Sequence, residues 1–278
     1  MKVTVVIENS VPAGAKGPFV GEHGLSLLLE TGTQKILIDT GQSGAVVHNL
    51  SLLGVHSREL DAIAISHGHY DHTGGLPCLL RHRRKPVPVY AHSGIFKKRY
   101  AVANGRRSYA GLPFTKEETD MLGVDWIFAD EPMEIAPKLW LSGGIPRVTG
   151  FEMGDAKLVI PDVQGCDCQD IVRDDTVLYY SGEQGLVVIG GCTHSGLVNA
   201  VTRGMELTEQ TKLAGWIGGT HLGPVSQEQQ ELTLAMLEQY SPNFIAANHC
   251  TGFDMMAELK ARFGKKFIPA FVSTVIEF

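Results

Sequence analysis

At positions 66–75 the chain reads SHGHYDHTGG, and His67, His69, Asp71 and His72 each offer an electron pair that a metal ion accepts. In an α-helix His67 and His69 would point about 200° apart, so one ion could not take both. The spacing therefore differs from the i, i+4 pair of a helical zinc protease. An extended or turning loop lets the two rings converge, and Gly68 leaves the backbone free to bend between them. Two neighbouring metal positions follow, one using His67 and His69, the other Asp71 and His72. Each needs further donors, because a catalytic zinc-like site takes about three protein ligands and keeps one position open for water.

Three later histidines have a suitable setting. His194 in LVVIGGCTHSG, His221 in LAGWIGGTHLG and His249 in NFIAANHCTG each follow an apolar strand-like run and precede a helical pattern. A single histidine so placed is more often structural than a ligand. Three in matching positions, where the strands of an α/β layer open onto one edge, predict a cluster.

The elements that must position these residues are legible as short β-rich runs such as KVTVVI, LSLLLE, KILID, AIAIS, VPVYA and TVLYY, bounded by Gly, Pro, Asn or Asp. Helical patterns fall at 44–53, 195–207, 226–240 and 253–263, and TGGLPCLLRH reads as a helix with Thr73 as N-cap. Strands come first nearly back to back and later alternate with helices, which predicts mixed sheets with helices on their outer faces. FIPAFVSTVIEF at the C-terminus reads as a sheet strand or a subunit contact, its β-branched content favouring the strand.

Composition narrows the partners. The 278 residues are 44% hydrophobic and carry a formal net charge of −6, which gives no general attraction to nucleic acid or anionic membranes. No run approaches a membrane span or a signal segment, so a cytoplasmic protein is expected. Five scattered cysteines do not make a disulfide framework, and reduced thiols are the default. No linker divides the chain, so 1–278 reads as one domain. The basic stretch within 93–125 reads as a lid or insertion. There Arg106, Arg107 and Tyr109, with Lys97, Lys98, Arg99 and Tyr100 nearby, would suit an anionic group on a flat ring, or simply form a solvated face.

LIDTG at 37–41 followed by SHGHYDHTGGL, with GCTHSG, GGTHL and NHCTG downstream, resembles the metallo-β-lactamase superfamily across essentially the whole chain. The combination is similar to a subfamily of metal-dependent hydrolases that also includes a dihydropterin synthase. The resemblance implies an α/β fold, a four-layer αββα sandwich with two mixed sheets, and a dinuclear centre. His67, His69, Asp71 and His72 match the H-x-H-x-D-H signature. His249 falls on the C-terminal ligand, joining Asp71 and His72, and His194 completes the first metal's set. Most members place a bridging aspartate where this chain has Cys192. Either Cys192 ligates, His194 compensates, or the second site is weaker. Asp39 resembles an early aspartate that orients ligands. It can also be read as a strand-end turn carboxylate.

Two divalent ions are implied, zinc first, with iron, manganese or magnesium as alternatives. The expected chemistry is attack by metal-bound hydroxide on a small, phosphorylated or ester substrate. Asp71 would orient the attacking group, and His221, if not a ligand, would donate a proton. His69 argues against the superfamily's diiron oxidases, which carry Glu there; a mononuclear iron dioxygenase stays open. A synthase-like condensation releasing phosphate and a non-catalytic metal-binding protein are the alternatives. A homo-oligomer is left open.

Overall fold

A computed structural model describes residues 1–83 and 85–278. The chain forms two compact units, the first made of Met1–Lys98, Ala110–Phe128 and Ala270–Phe278, the second of Arg99–Tyr109 and Ala129–Pro269.

The first unit is built on a seven-stranded sheet in the order Val275–Glu277, Lys2–Ile7, Ser26–Glu30, Lys35–Ile38, Ala62–Ala64, Val87–Ala91, Val124–Phe128. The first four strands pair antiparallel and the rest parallel. Parallel neighbours cannot be joined by a tight turn, so the connections carry helices, Ala45–Leu52, Leu76–Arg83 and Lys116–Met121. Leu28, Leu37, Ile63 and Val89 of the sheet join Val46, Leu50, Leu76 and Leu79 in one buried core. Each such aliphatic side chain contributes roughly 1.5–3 kcal/mol when fully removed from water.

The second unit repeats this plan. Its seven strands run Phe267–Pro269, Phe244–Asn248, Leu213–Gly219, Gly185–Gly190, Val177–Gly182, Leu139–Leu141, Met133–Ala136. The pairings from Gly185–Gly190 through Phe267–Pro269 are parallel, and the others antiparallel. Helices Leu197–Thr208, Gln227–Tyr240 and Phe253–Phe263 make the crossovers, and Val201, Leu234 and Leu259 pack with Val188, Trp216 and Ile245.

Strand ends place the residues singled out above. In the first unit Asp39 follows Lys35–Ile38, and His67 to His72 follow Ala62–Ala64; in the second, Cys192 and His194 follow Gly185–Gly190, His221 follows Leu213–Gly219 and His249 follows Phe244–Asn248. All lie beyond the carboxyl ends of strands, where α/β sheets open loops for binding.

The expected α/β class with two mixed sheets is what the chain adopts, but a third sheet was not anticipated. It is antiparallel and four-stranded, Asp167–Gln169, Leu158–Pro161, Tyr100–Ala103 and Arg106–Tyr109. Its hairpin turns at Asn104 and Gly105, both with positive φ (51° and 70°), a two-residue loop that suits the strands' twist. The stretch 93–125 is thus part hairpin in the second unit and, in the first, part helix and strand. FIPAFVSTVIEF is not one strand but two, Phe267–Pro269 and Val275–Glu277, in different sheets.

Candidate metal centre

In the first unit the chain leaves Ala64, bends at Gly68 and then makes one helical turn, Tyr70–Thr73. Thr73 closes this turn rather than capping the next helix: its hydroxyl donates to the His69 carbonyl at 2.8 Å. Gly68 stands where the backbone bends, and it also permits close approach, since a Cβ there would lie 2.2 Å from the Ile95 carbonyl oxygen and 2.9 Å from Leu112. The turn is tied down by Thr40, whose N–H donates to the His72 carbonyl at 2.7 Å, and by Leu25, whose N–H donates to that of Asp71.

The side chains converge. The His67 ring centroid lies 4.6 Å from that of His69 and 4.2 Å from that of His72. His67 Nε2 and His69 Nδ1 are 2.9 Å apart, and Asp71 Oδ2 is 3.7 Å from His72 Nε2 and 3.2 Å from His23 Nε2. Asp39, wholly buried, organises them. Its Oδ1 accepts from the Ser66 N–H, and its Oδ2 from the Ser66 hydroxyl and from His72 Nδ1, all at 2.7 Å. With its one proton given to Asp39, the Ser66 oxygen accepts from His67 Nδ1 at 2.9 Å. Asp39 therefore sets two tautomers, one directly and one through Ser66, leaving Nε2 of both His67 and His72 as lone-pair donors.

In the second unit Cys192, Thr193, His194 and Ser195 form the turn between a strand and the helix Leu197–Thr208. Arg147 grips this turn through the carbonyls of His194 (2.6 Å) and Ser195 (3.3 Å), and also those of Glu152 and Ile171. Burial lowers its pKa, opposed by Asp175 and Glu152. Asp175 accepts from the Ser195 N–H at 2.9 Å and from its hydroxyl; burial raises its pKa to about 6 despite these bonds. Glu152 caps the helix from another loop, accepting from the N–H groups of Val198 and Asn199 at 2.8 Å. Gly196, with φ of 99°, leaves room for that carboxylate, because a Cβ there would sit 2.2 Å from Glu152 Cδ. The His194 and His221 rings lie 4.1 Å apart. Burial opposes charge on His221, but Asp155, 3.8 Å from Nε2, and Cys250 raise its pKa to about 9. Asp39, Thr193, His221 and His249 all take positive φ, between 50° and 58°. Each such non-glycine residue costs on the order of 1 kcal/mol or more, a strain that collects at functional sites.

The residues proposed for substrate contact stand on the four-stranded sheet. Arg107 stacks over the Tyr100 ring at 3.7 Å and pairs with Asp167 at 3.0 Å; Tyr109 meets Tyr100 edge-on at 5.5 Å. Arg106 is exposed. Arg99 is instead buried, held by Asp174 at 2.5 Å and Asp170 at 3.5 Å, so it belongs to the interior rather than to a substrate grip. Ser66, Arg147, Glu152, Asp155, Asp175 and Cys250 were not singled out from the sequence. Only Ser66 and Cys250 had a signal there, each adjoining a candidate histidine.

The donor set fits a divalent cation. His72 Nε2 presents a lone pair toward a carboxylate oxygen, a repulsion that a cation between them would turn into attraction, and His67 Nε2 presents another toward His69, out of solvent. Among known proteins, a family model described as the metallo-beta-lactamase superfamily matches residues 20–157. The 7,8-dihydropterin-6-methyl-4-(beta-D-ribofuranosyl)-aminobenzene-5'-phosphate synthase of Methanocaldococcus jannaschii is 29% identical over 96% of this chain and 93% of its own length. An uncharacterized protein of the same organism is 31% identical over 92% and 93%. The crystal structure of Tm1679, described as a metal-dependent hydrolase of the beta-lactamase superfamily, matches with a TM-score of 0.84 and 26% identity, covering 100% of this chain and 99% of its own.

Proposed function

Because this chain belongs to the metallo-β-lactamase superfamily, we propose that it is a metal-dependent hydrolase of small phosphorylated or ester substrates, with a dinuclear zinc centre. His67, His69, Asp71 and His72 are the ligands proposed from the loop, with His194 and His249 as those implied by family resemblance. The observation that supports this reading is the Asp39–Ser66 network, which engages Nδ1 of His67 and of His72 and leaves each Nε2 as a lone pair that a cation would take. A bound divalent metal acidifies water and polarises the substrate oxygen, the chemistry of hydrolysis. Asp71 holds its carboxylate beside His72 and orients the attacking water. His221, steadied by Asp155, donates a proton or hydrogen bond to the developing oxyanion or leaving group.

On this reading residues 1–278 act as one functional domain on a single small substrate. Arg106, Arg107 and Tyr109 meet its anionic or aromatic part; the exposed Arg107–Asp167 pair is worth only about 0–1 kcal/mol and exchanges readily for a phosphate. The second reading is a synthase-like condensation releasing phosphate, favoured by the 29% identity to the M. jannaschii synthase along 96% of this chain.

Metal content and turnover of His67→Ala and His69→Ala test the centre: both are expected to fall together, and full retention of metal and rate would overturn it. Phosphoester hydrolysis assayed beside pterin condensation on the same metal-loaded protein separates the two readings. In Arg106→Ala plus Arg107→Ala, KM should rise for a phosphorylated substrate and not for its dephosphorylated analogue. Equal losses for both would remove the phosphate grip.

A further inference from the structure

We propose that Cys192, Cys250 and His221 form a thiolate-bearing metal ligand set inside the second unit, suited to a borderline-soft divalent ion such as zinc. Cys192 Sγ, Cys250 Sγ and a His221 ring nitrogen all lie within 4.8 Å of one another. A tetrahedral zinc ion, with sulfur at ~2.3 Å and nitrogen at ~2.0 Å, holds its ligand atoms roughly 3.5–3.8 Å apart. The cluster is within a small closure of that geometry.

The three residues come from the ends of three adjacent parallel strands, and the loops carrying them are tied together. Gly219 N–H donates to the Gly191 carbonyl at 2.8 Å, and the Thr193 hydroxyl to the Gly219 carbonyl at 3.1 Å. Thr220 donates its N–H and its hydroxyl to the Thr251 hydroxyl oxygen at 3.2 and 3.1 Å. Gly219 makes the space: a Cβ there would lie 2.5 Å from Cys250 Sγ. The His221 N–H donates to Cys250 Sγ at 3.3 Å, a contact that favours a thiolate.

His221 supplies the second, independent observation. Both its ring nitrogens are buried without a hydrogen-bond partner, an unfavourable arrangement when nothing satisfies it. An ion on one nitrogen, with Asp155 steadying the other, resolves the deficit in the manner common to metal-bound histidines. Two sulfur donors also select among metals, favouring zinc or iron over magnesium and manganese. This set does not depend on the histidine–aspartate loop being a ligand set, and with an ion bound His221 is a ligand in place of the proton donor of the proposed function.

Cobalt is the probe. Apo-protein loaded anaerobically with Co(II) is expected to show sulfur-to-cobalt charge-transfer absorption, largely lost in Cys192→Ser and in Cys250→Ser but kept in Cys166→Ser plus Cys168→Ser. X-ray absorption of the zinc-loaded wild type should find sulfur at ~2.3 Å, a reading that needs no variant to fold. Full metal loading with neither the band nor sulfur scattering would overturn the proposal. The proposed hydrolase centre is judged separately: if His67→Ala plus His69→Ala lowers metal content in a protein lacking the band, that centre stands and the thiolate set falls. If the band persists while that double variant loses no metal, the reverse holds.

Discussion

Three hydrogen bonds reach the two oxygens of Asp39, and no orientation of an asparagine amide satisfies all of them. Turned one way, its NH2 faces the Ser66 N–H; turned the other, it faces the Ser66 hydroxyl and His72. Asparagine tolerates the left-handed backbone of this position, φ 57°, so Asp39→Asn isolates the electrostatic role from backbone strain. It is expected to lower metal affinity by roughly 10–100-fold and stability by about 1–3 kcal/mol, read by competition titration with a chelating dye and by chemical unfolding. Unchanged affinity would mean that the tautomers of His67 and His72 are set by something else.

Loops and helix ends are where the elements meet the chemistry. Gly68→Ala adds a methyl group 2.2 Å from the Ile95 carbonyl, so the strand-to-helix loop must move and His67 and His69 with it. That variant should lose metal and stability together; a normal melting temperature with full metal content would refute the close-approach argument. Glu152 is the N-terminal cap of Leu197–Thr208, and Glu152→Ala should cost about 0.5–2 kcal/mol. Burial raises its pKa above the ordinary 4.5, against the helix N–H groups, Thr149 and Arg147. A raised carboxyl pKa contributes stability below 4.5 that is lost as pH climbs through the folded value. The unfolding free energy of wild type relative to Glu152→Gln should therefore decline from pH 4 upward, and a flat or rising difference would contradict the burial account.

At the scale of the whole molecule, each unit has its own buried core, and ion binding adds a mass-action contribution on top. Free metal at about a hundred times its dissociation constant stabilises by ~2.7 kcal/mol. For a protein of this size, chelation should then lower Tm by about 5–10 °C, and restored zinc should bring it back. A melting curve indifferent to chelator would speak against any resident ion. Among the described residues no helix is long and apolar enough to cross a membrane.

The loop SHGHYDHTGG declared its donor chemistry by residue type and spacing alone, and apolar runs ending in glycine marked the strands beside it, because both signals are local. The helices at 44–53 and 253–263 were legible for the same reason. Pairing was not. That Leu158–Pro161 pairs with Tyr100–Ala103, that the last twelve residues split between two sheets, and that Glu152 caps a helix beginning 45 positions later depend on contacts between distant segments. The Asn104–Gly105 pair is a local hairpin signal, but its charged neighbours read equally as a solvated lid until the strands on either side are seen to pair. Asp39, Ser66 and the two imidazoles form a network only once Lys35–Ile38 and Ala62–Ala64 lie side by side. Composition fixes which atoms can donate or accept; only the folded backbone decides which of them meet.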